Sequence, residues 1–243
     1  MNLYYTLAFT VFPYLCLTIF VVGHSYRYVT DRYGWNARSS EFLEKKALFP
    51  GAVLFHWGIV FTFLGHAGGL LVPQRLFDMV GINSEVHLSI AYGSGLVVGI
   101  AAFVGSLLLL WRRVSNQRVK AAGTTNDLVT ISGLVMVVAI GLYNVVFGHF
   151  NVLDTVAPWI RGIVTFNPNP YLMSTVPFSY KLHILSALAL LAFSPFSRLV
   201  HIWSAPVFYF VRSQILFRRK PELIRKVAGE RSLGIGRKGG SDG

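Results

Sequence analysis

Four histidines interrupt two apolar stretches that are each long enough to cross a bilayer: His56 and His66 within residues 54–72, and His183 and His201 within residues 180–207. Hydrocarbon offers an imidazole no water, so a histidine retained in a spanning helix marks a site of function. A neutral imidazole nitrogen is also a good ligand for iron. Two helices that each present two histidines can hold two haems, one above the other, each between a pair of axial imidazoles. The competing reading is a polar side chain satisfied inside a bundle, which suits one histidine better than four.

Cysteine usage decides how such haems would be held. The only cysteine, Cys16, lies in an apolar run near the N-terminus. The chain therefore has no disulfide, no cysteine set for an iron–sulfur cluster and no C-x-x-C-H for covalent attachment. Two non-covalent haems of the b type are the expectation.

The elements that must position these histidines are membrane helices. Of 243 residues, 53% are hydrophobic and 13% charged, and mean hydropathy is +0.54, values outside the range of ordinary soluble domains. Apolar runs of about 20 residues or more predict five spans, over 3–23, 50–72, 87–111, 127–148 and 178–210. The expected fold is an all-α, five-helix transmembrane bundle over residues 1–216, followed by a basic tail, 217–243. The first run lacks a leading positive charge and a small-x-small cleavage site, and is read as a retained helix rather than a signal peptide.

Charge orients the bundle. Arg27, Arg32, Arg38, Lys45 and Lys46 follow the first span, Arg112, Arg113, Arg118 and Lys120 follow the third, and the tail from Arg212 onward is strongly basic. The other connections carry little more than Arg75, Arg161 and Lys181. The positive-inside rule puts the first group and the C-terminus in the cytoplasm and the N-terminus outside the cell membrane. The net charge of +12 thus serves topology and contact with lipid headgroups. Nucleic-acid binding has no soluble domain to present it, and the tail either touches anionic lipid or docks on a cytoplasmic partner.

In this topology the second and fifth spans run antiparallel, which brings His56 and His201 toward the cytoplasmic side and His66 and His183 toward the outside. The depths do not match on straight helices. His183 and His201 are 18 residues apart, about 27 Å of rise on one face, whereas His56 and His66 are ten apart, about 15 Å of rise and about 80° around the helix. Pro195 permits a kink that absorbs part of the difference. Pairings that use His87 or His149 stay open at this stage.

Gly58, Gly65, Gly68 and Gly69 surround the second-span histidines, either to admit a flat macrocycle or to pack helices closely. His24 and His149 close spans and read as interfacial. His87 opens the third span beside Glu85 on the outer side.

Several motifs together carry a family resemblance. Residues 195–207, Pro-Phe-Ser-Arg-Leu-Val-His-Ile-Trp-Ser-Ala-Pro-Val, resemble a signature of the gamma subunit of respiratory nitrate reductase. So do Trp35-x-Ala37-x-Ser39-Ser40-x-x-Leu43-x-x-Lys46, Phe55-His56-x-Gly58-Ile59 with Gly65-His66, and Arg112-Arg113 with Thr124-Thr125-x-Asp127. The resemblance runs to about residue 216.

It implies a di-haem cytochrome b. His56 and His201 would bind the inner haem iron, and His66 and His183 the outer. A quinol, menaquinol or ubiquinol, would be oxidised near the outer haem, with Gly65, His66, Gly69 and His87 as candidate contacts. Electrons would pass to a cytoplasmic iron–sulfur subunit and then to a molybdenum subunit where nitrate is reduced, so the nitrate site is not on this chain. The family's lysine near the start of the third span is absent from residues 83–90, where His87 is a substitute. Arg112 and Arg113 would either neutralise the inner haem's propionates or serve as positive-inside anchors. The alternatives are a related di-haem cytochrome serving another soluble reductase, for instance one acting on sulfur compounds, and a non-redox transporter or anchor.

Overall fold

The computed structural model describes residues 3–31, 35, 44–46 and 48–204. Five helices in it are long and apolar enough to cross a membrane: α1 (Leu3–Thr30), α2 (Leu48–Leu71), α4 (Ser84–Ser115), α6 (Thr125–Gly148) and a fifth over Phe178–Phe196, whose regular part is α8 (Phe178–Phe193). Three shorter helices lie between them, α3 (Gln74–Met79), α5 (Gln117–Ala121) and α7 (Val156–Val164). Among the described residues there is no strand. Side chains such as Trp57, Phe63, Val97 and Phe147 point outward from the spans, as they do where the solvent is lipid.

Local sequence sets the helix ends. The Asn83 side chain accepts from the Val86 N–H at 2.9 Å and starts α4. Thr124 and Asp127 form a reciprocal capping box at the start of α6, each satisfying a backbone donor that the first helical turn leaves without a partner. Arg112 and Arg113 close α4, where cations complement the negative end of the helix dipole.

The spans pack in sequence around an arc. α2 lies on α4, α4 on α6, α6 on α8 and α8 on α1, whereas α2 and α8 have no comparable direct packing. The closest approach is between α2 and α4, where a Cβ on Gly58 would sit 2.5 Å from the Ala102 nitrogen and a Cβ on Gly105 would sit 2.3 Å from the Phe55 nitrogen. Only the missing side chains let these backbones meet.

At the end of the bundle that carries His66 and His183, an apolar core of Phe9, Val156, Trp159, Ile163, Met173, Val176 and Tyr180 ties α7 and the following loop to α1 and α8. The Trp159 indole N–H donates to the Phe9 carbonyl at 2.8 Å. α1, α2 and α6 each carry a π-helical turn at this end, over Leu7–Val11, Ala67–Leu71 and Asn144–Gly148.

Four expected boundaries need correction. α1 runs to Thr30 rather than residue 23, α2 starts at Leu48, and α4 begins at Ser84 and ends at Ser115 because its caps lie outside the purely apolar run. The single fifth helix over 178–210 is not found. After Phe193 come two 3-10 turns, Ser194–Phe196 and Arg198–Val200, before a helical turn over residues 201–204, since Pro195 has no N–H to continue the ladder. The basic tail 217–243 lies outside the described residues.

The α2–α4 contact yields a prediction. Gly105→Ala should lower the thermal midpoint of the detergent-purified protein, because overpacking against backbone costs about 1–3 kcal/mol. Gly95→Ala, whose Cβ would find Val145 at an ordinary 3.6 Å, should leave the midpoint unchanged or raise it. Equal midpoints for the two variants would refute the close approach.

Candidate functional site

The structure brings the four histidines together as two facing pairs. The ring centroids of His56 and His201 are 5.9 Å apart with planes at 63°, and those of His66 and His183 are 6.3 Å apart with planes at 33°. A metal–imidazole bond is about 2 Å, so two such bonds and the half-widths of two rings span roughly 6 Å. Both separations match an iron between two imidazoles. The interruption at Ser194–Val200 explains how ten residues on α2 match 18 on the other side. The 3-10 turns break the straight rise that a continuous helix would impose between His183 and His201.

Each imidazole gives its Nδ1 to a backbone carbonyl. His56 Nδ1 lies 2.8 Å from the Ala52 oxygen, His66 Nδ1 2.7 Å from Thr62, His183 Nδ1 3.0 Å from Val137 and His201 Nδ1 2.6 Å from Arg198. A carbonyl can only accept, so Nδ1 carries the proton in every ring and Nε2 keeps its lone pair. Metal-bound histidines characteristically donate their second nitrogen in this way. The arrangement fixes tautomer and ring orientation at all four positions.

The surroundings fit haem. α2 and α8 do not pack closely on each other, so the histidines of each pair do not meet through a tight helix–helix contact. A Cβ on Gly65, Gly68 or Gly93 would meet nothing within 4 Å, which leaves open surface on α2 and α4. Gly141 serves a different purpose, since its Cβ would lie 2.8 Å from His183 Cε1, and its absence lets the ring reach the Val137 carbonyl. Among the described residues no group of three or more His, Cys, Asp or Glu converges as a bare metal ion would need. Haem asks the protein only for axial ligands.

The expected glycine cluster thus divides in function. Gly58 is a helix-packing residue, Gly65 and Gly68 border open space, and a Cβ on Gly69 would lie 3.4 Å from His87 Nε2.

The end near His56 and His201 is ionic. Arg112, buried, donates to the Glu44 carboxylate at 2.8 Å and the Glu44 carbonyl at 2.7 Å. Arg113 pairs with Asp127 Oδ2 at 2.9 Å, and Arg198 Nε donates to Asp127 Oδ1. Both arginines read from the sequence are therefore held by carboxylates of the protein. Asp127 and Arg198 were quoted there only as motif members. Their signal was charge at the edge of apolar runs, together with a threonine three residues before the aspartate.

The other end is assembled from neutral groups. His87 is buried, its Nδ1 lies 2.7 Å from Gln74 Oε1, and its ring stacks obliquely on Phe77 with centroids 4.3 Å apart. Among the described residues no second histidine ring lies against it. Gln74 in turn donates to Asp78 and to the Ile82 carbonyl. His149 adopts a left-handed conformation at φ 42° and lies against Tyr92. His24, expected at the interface, is instead buried, accepts from the Trp35 indole at 3.1 Å and contacts the Ser194 hydroxyl at 3.2 Å. Trp35 lies against it from the connection between α1 and α2, which hydropathy alone does not reveal.

The sequence profile of the nitrate reductase gamma subunit family matches residues 5–220. The chain is 39% identical over 214 residues to the nitrate reductase gamma chain of Bacillus subtilis, covering 86% of this chain and 96% of that one. It is 32% identical over 218 residues to the respiratory nitrate reductase 2 gamma chain of Escherichia coli, covering 87% and 96%. The nitrate reductase-like protein NarX of Mycobacterium tuberculosis shares 36% identity over 224 residues, which cover 90% of this chain but 34% of NarX.

Proposed function

The chain belongs to the nitrate reductase gamma subunit family, and on that footing we propose that it is the complex's membrane di-haem cytochrome b, which oxidises quinol and delivers electrons to cytoplasmic iron–sulfur and molybdenum subunits. The observation that carries this reading is the two imidazole pairs, 5.9 and 6.3 Å between ring centroids, with Nδ1 of every ring fixed by a carbonyl. Haem b held between two imidazoles supplies one-electron redox chemistry, with axial ligands and their hydrogen bonds tuning its potential. His66 and His183 would hold the outer haem, and His56 and His201 the inner one.

The protein's part is to bind, orient and move protons. His87 Nδ1 donates to Gln74, so Nε2 is an acceptor, and a Cβ on Gly69 would lie 3.4 Å from it. Menaquinol or ubiquinol placed there would give a hydroxyl proton to His87 Nε2 as an electron leaves. Oxidation to quinone releases two protons and two electrons in all. The Lys- and Arg-rich connections put this end outside the cell membrane, so protons leave on one side and electrons on the other. At the inner end Arg112, Arg113 and Arg198 gather three cations around Glu44 and Asp127. That excess positive charge suits haem propionates, and nitrate reduction takes place on another subunit.

A reduced-minus-oxidised spectrum of the purified complex tests the cofactor. A b-type band is expected, and its absence leaves only a structural anchor. The pairing makes a sharper prediction: His66→Ala and His183→Ala should remove or convert to high spin one and the same haem, and His56→Ala and His201→Ala the other, as redox titration and low-spin spectra would record. If His66→Ala grouped with His201→Ala, the pairing would be wrong.

For quinol, His87→Ala should slow quinol oxidation by about 100-fold, the lower range of a general base's contribution, with both haems retained. Unchanged turnover would remove His87 from the reaction. For topology, a reporter active only in the cytoplasm should work when fused after Gly243. Activity there of a reporter that works only outside would reverse the orientation.

A further inference from the structure

The residues leading to His201 belong to no long helix. Between Phe193 and His201 the chain makes two short 3-10 turns, and a three-residue turn has little rigidity of its own. Neighbouring helices hold it instead. Arg27 of α1 donates to the Pro195 carbonyl, Asn126 of α6 donates to the Phe196 carbonyl at 2.8 Å, and Asp127 of α6 accepts from Arg198. The Arg198 carbonyl then takes the His201 Nδ1–H at 2.6 Å. One residue thus joins the ion pair through its side chain to the imidazole through its backbone.

Asp127 is itself fixed independently of either arginine. Its Oδ2 accepts from the Thr124 N–H at 3.0 Å and its own N–H donates to the Thr124 hydroxyl, which locks it to the first turn of α6. It is 7% exposed, against 14% for Arg113 and 31% for Arg198. Without the carboxylate, two guanidinium groups would face each other in a poorly hydrated site.

We propose that Asp127 is the positioning residue for the His201 imidazole: acting through Arg198, it fixes the carbonyl that binds His201 Nδ1 and so sets the direction and basicity of Nε2. The inference rests on the reading of His201 as a ligand of the inner haem. A hydrogen bond to the second nitrogen of an axial imidazole tunes the iron's potential, so loosening it changes one haem and not the other.

The test uses the whole complex in membranes, with low-spin EPR spectra and redox titration of both haems. Asp127→Asn, which keeps the cap but removes the charge, and Arg198→Ala should each shift the signal and midpoint potential of the haem that His201→Ala abolishes, leaving the other at its wild-type values. Arg198→Lys should recover part of the shift. Arg113→Ala, which leaves the Asp127–Arg198 pair in place, should shift it far less. Wild-type values in Asp127→Asn and Arg198→Ala, or equal shifts of both haems, overturn the proposal. If Asp127→Asn does not accumulate, Arg198→Ala decides by the same criteria. If His201→Ala leaves two low-spin haems, the ligand assignment has failed and takes this inference with it.

Discussion

An imidazole inside a bilayer must place two nitrogens where no water can serve either, and this requirement organises much of the described structure. A backbone carbonyl takes Nδ1 in all four rings, which leaves each Nε2 its lone pair. For His56 and His66 the carbonyl comes from the preceding turn of α2, over which a helical side chain naturally lies. For His183 it comes from another helix, and that forces α6 close enough that position 141 must be glycine. Ring orientation therefore sets helix separation in one place and leaves it free in another.

The same requirement accounts for the break at Pro195. Ten residues on one helix cannot face 18 on a straight partner, so one side had to shorten or bend. An unbroken fifth span would keep His183 and His201 on one face but at depths that α2 does not share. Two 3-10 turns and a proline convert that excess length into a bend. The cost is a segment whose backbone bonds are no longer made within one helix. Arg27 and Asn126, reaching from neighbouring spans, supply partners for the exposed carbonyls.

The sequence made some of this legible and concealed the rest for physical reasons. Hydrophobic length is a property of single segments, so the five spans and the four intramembrane histidines were readable without tertiary knowledge. Antiparallel order then brought His56 toward His201 and His66 toward His183. Caps moved helix ends beyond the apolar runs because Asn83 and Thr124 act from outside them. Burial of His24 depends on Trp35 from a polar loop, and the service of Gly58 depends on which helix is its neighbour. Both are relations between distant residues, which hydropathy does not encode. The division of the α2 glycines Gly58, Gly65, Gly68 and Gly69 into packing, open space and proximity to His87 is hidden for the same reason.

The two ends of the bundle are built by different chemistry, and that difference follows from what each end must exclude. Near His66 and His183 the buried partners are a tryptophan, a methionine, tyrosines and a neutral amide, and His87 meets Gln74 rather than a carboxylate. The π-helical turns gathered at this end widen α1, α2 and α6 locally, a distortion that recurs where helices line sites. Near His56 and His201 arginines and carboxylates are tied in pairs and a triad, which gives directional, charge-assisted bonds where the backbone has lost its helical ones. One pair of histidines thus stands among neutral side chains and the other beside ion pairs, and the bent segment before His201 is held where those ion pairs are.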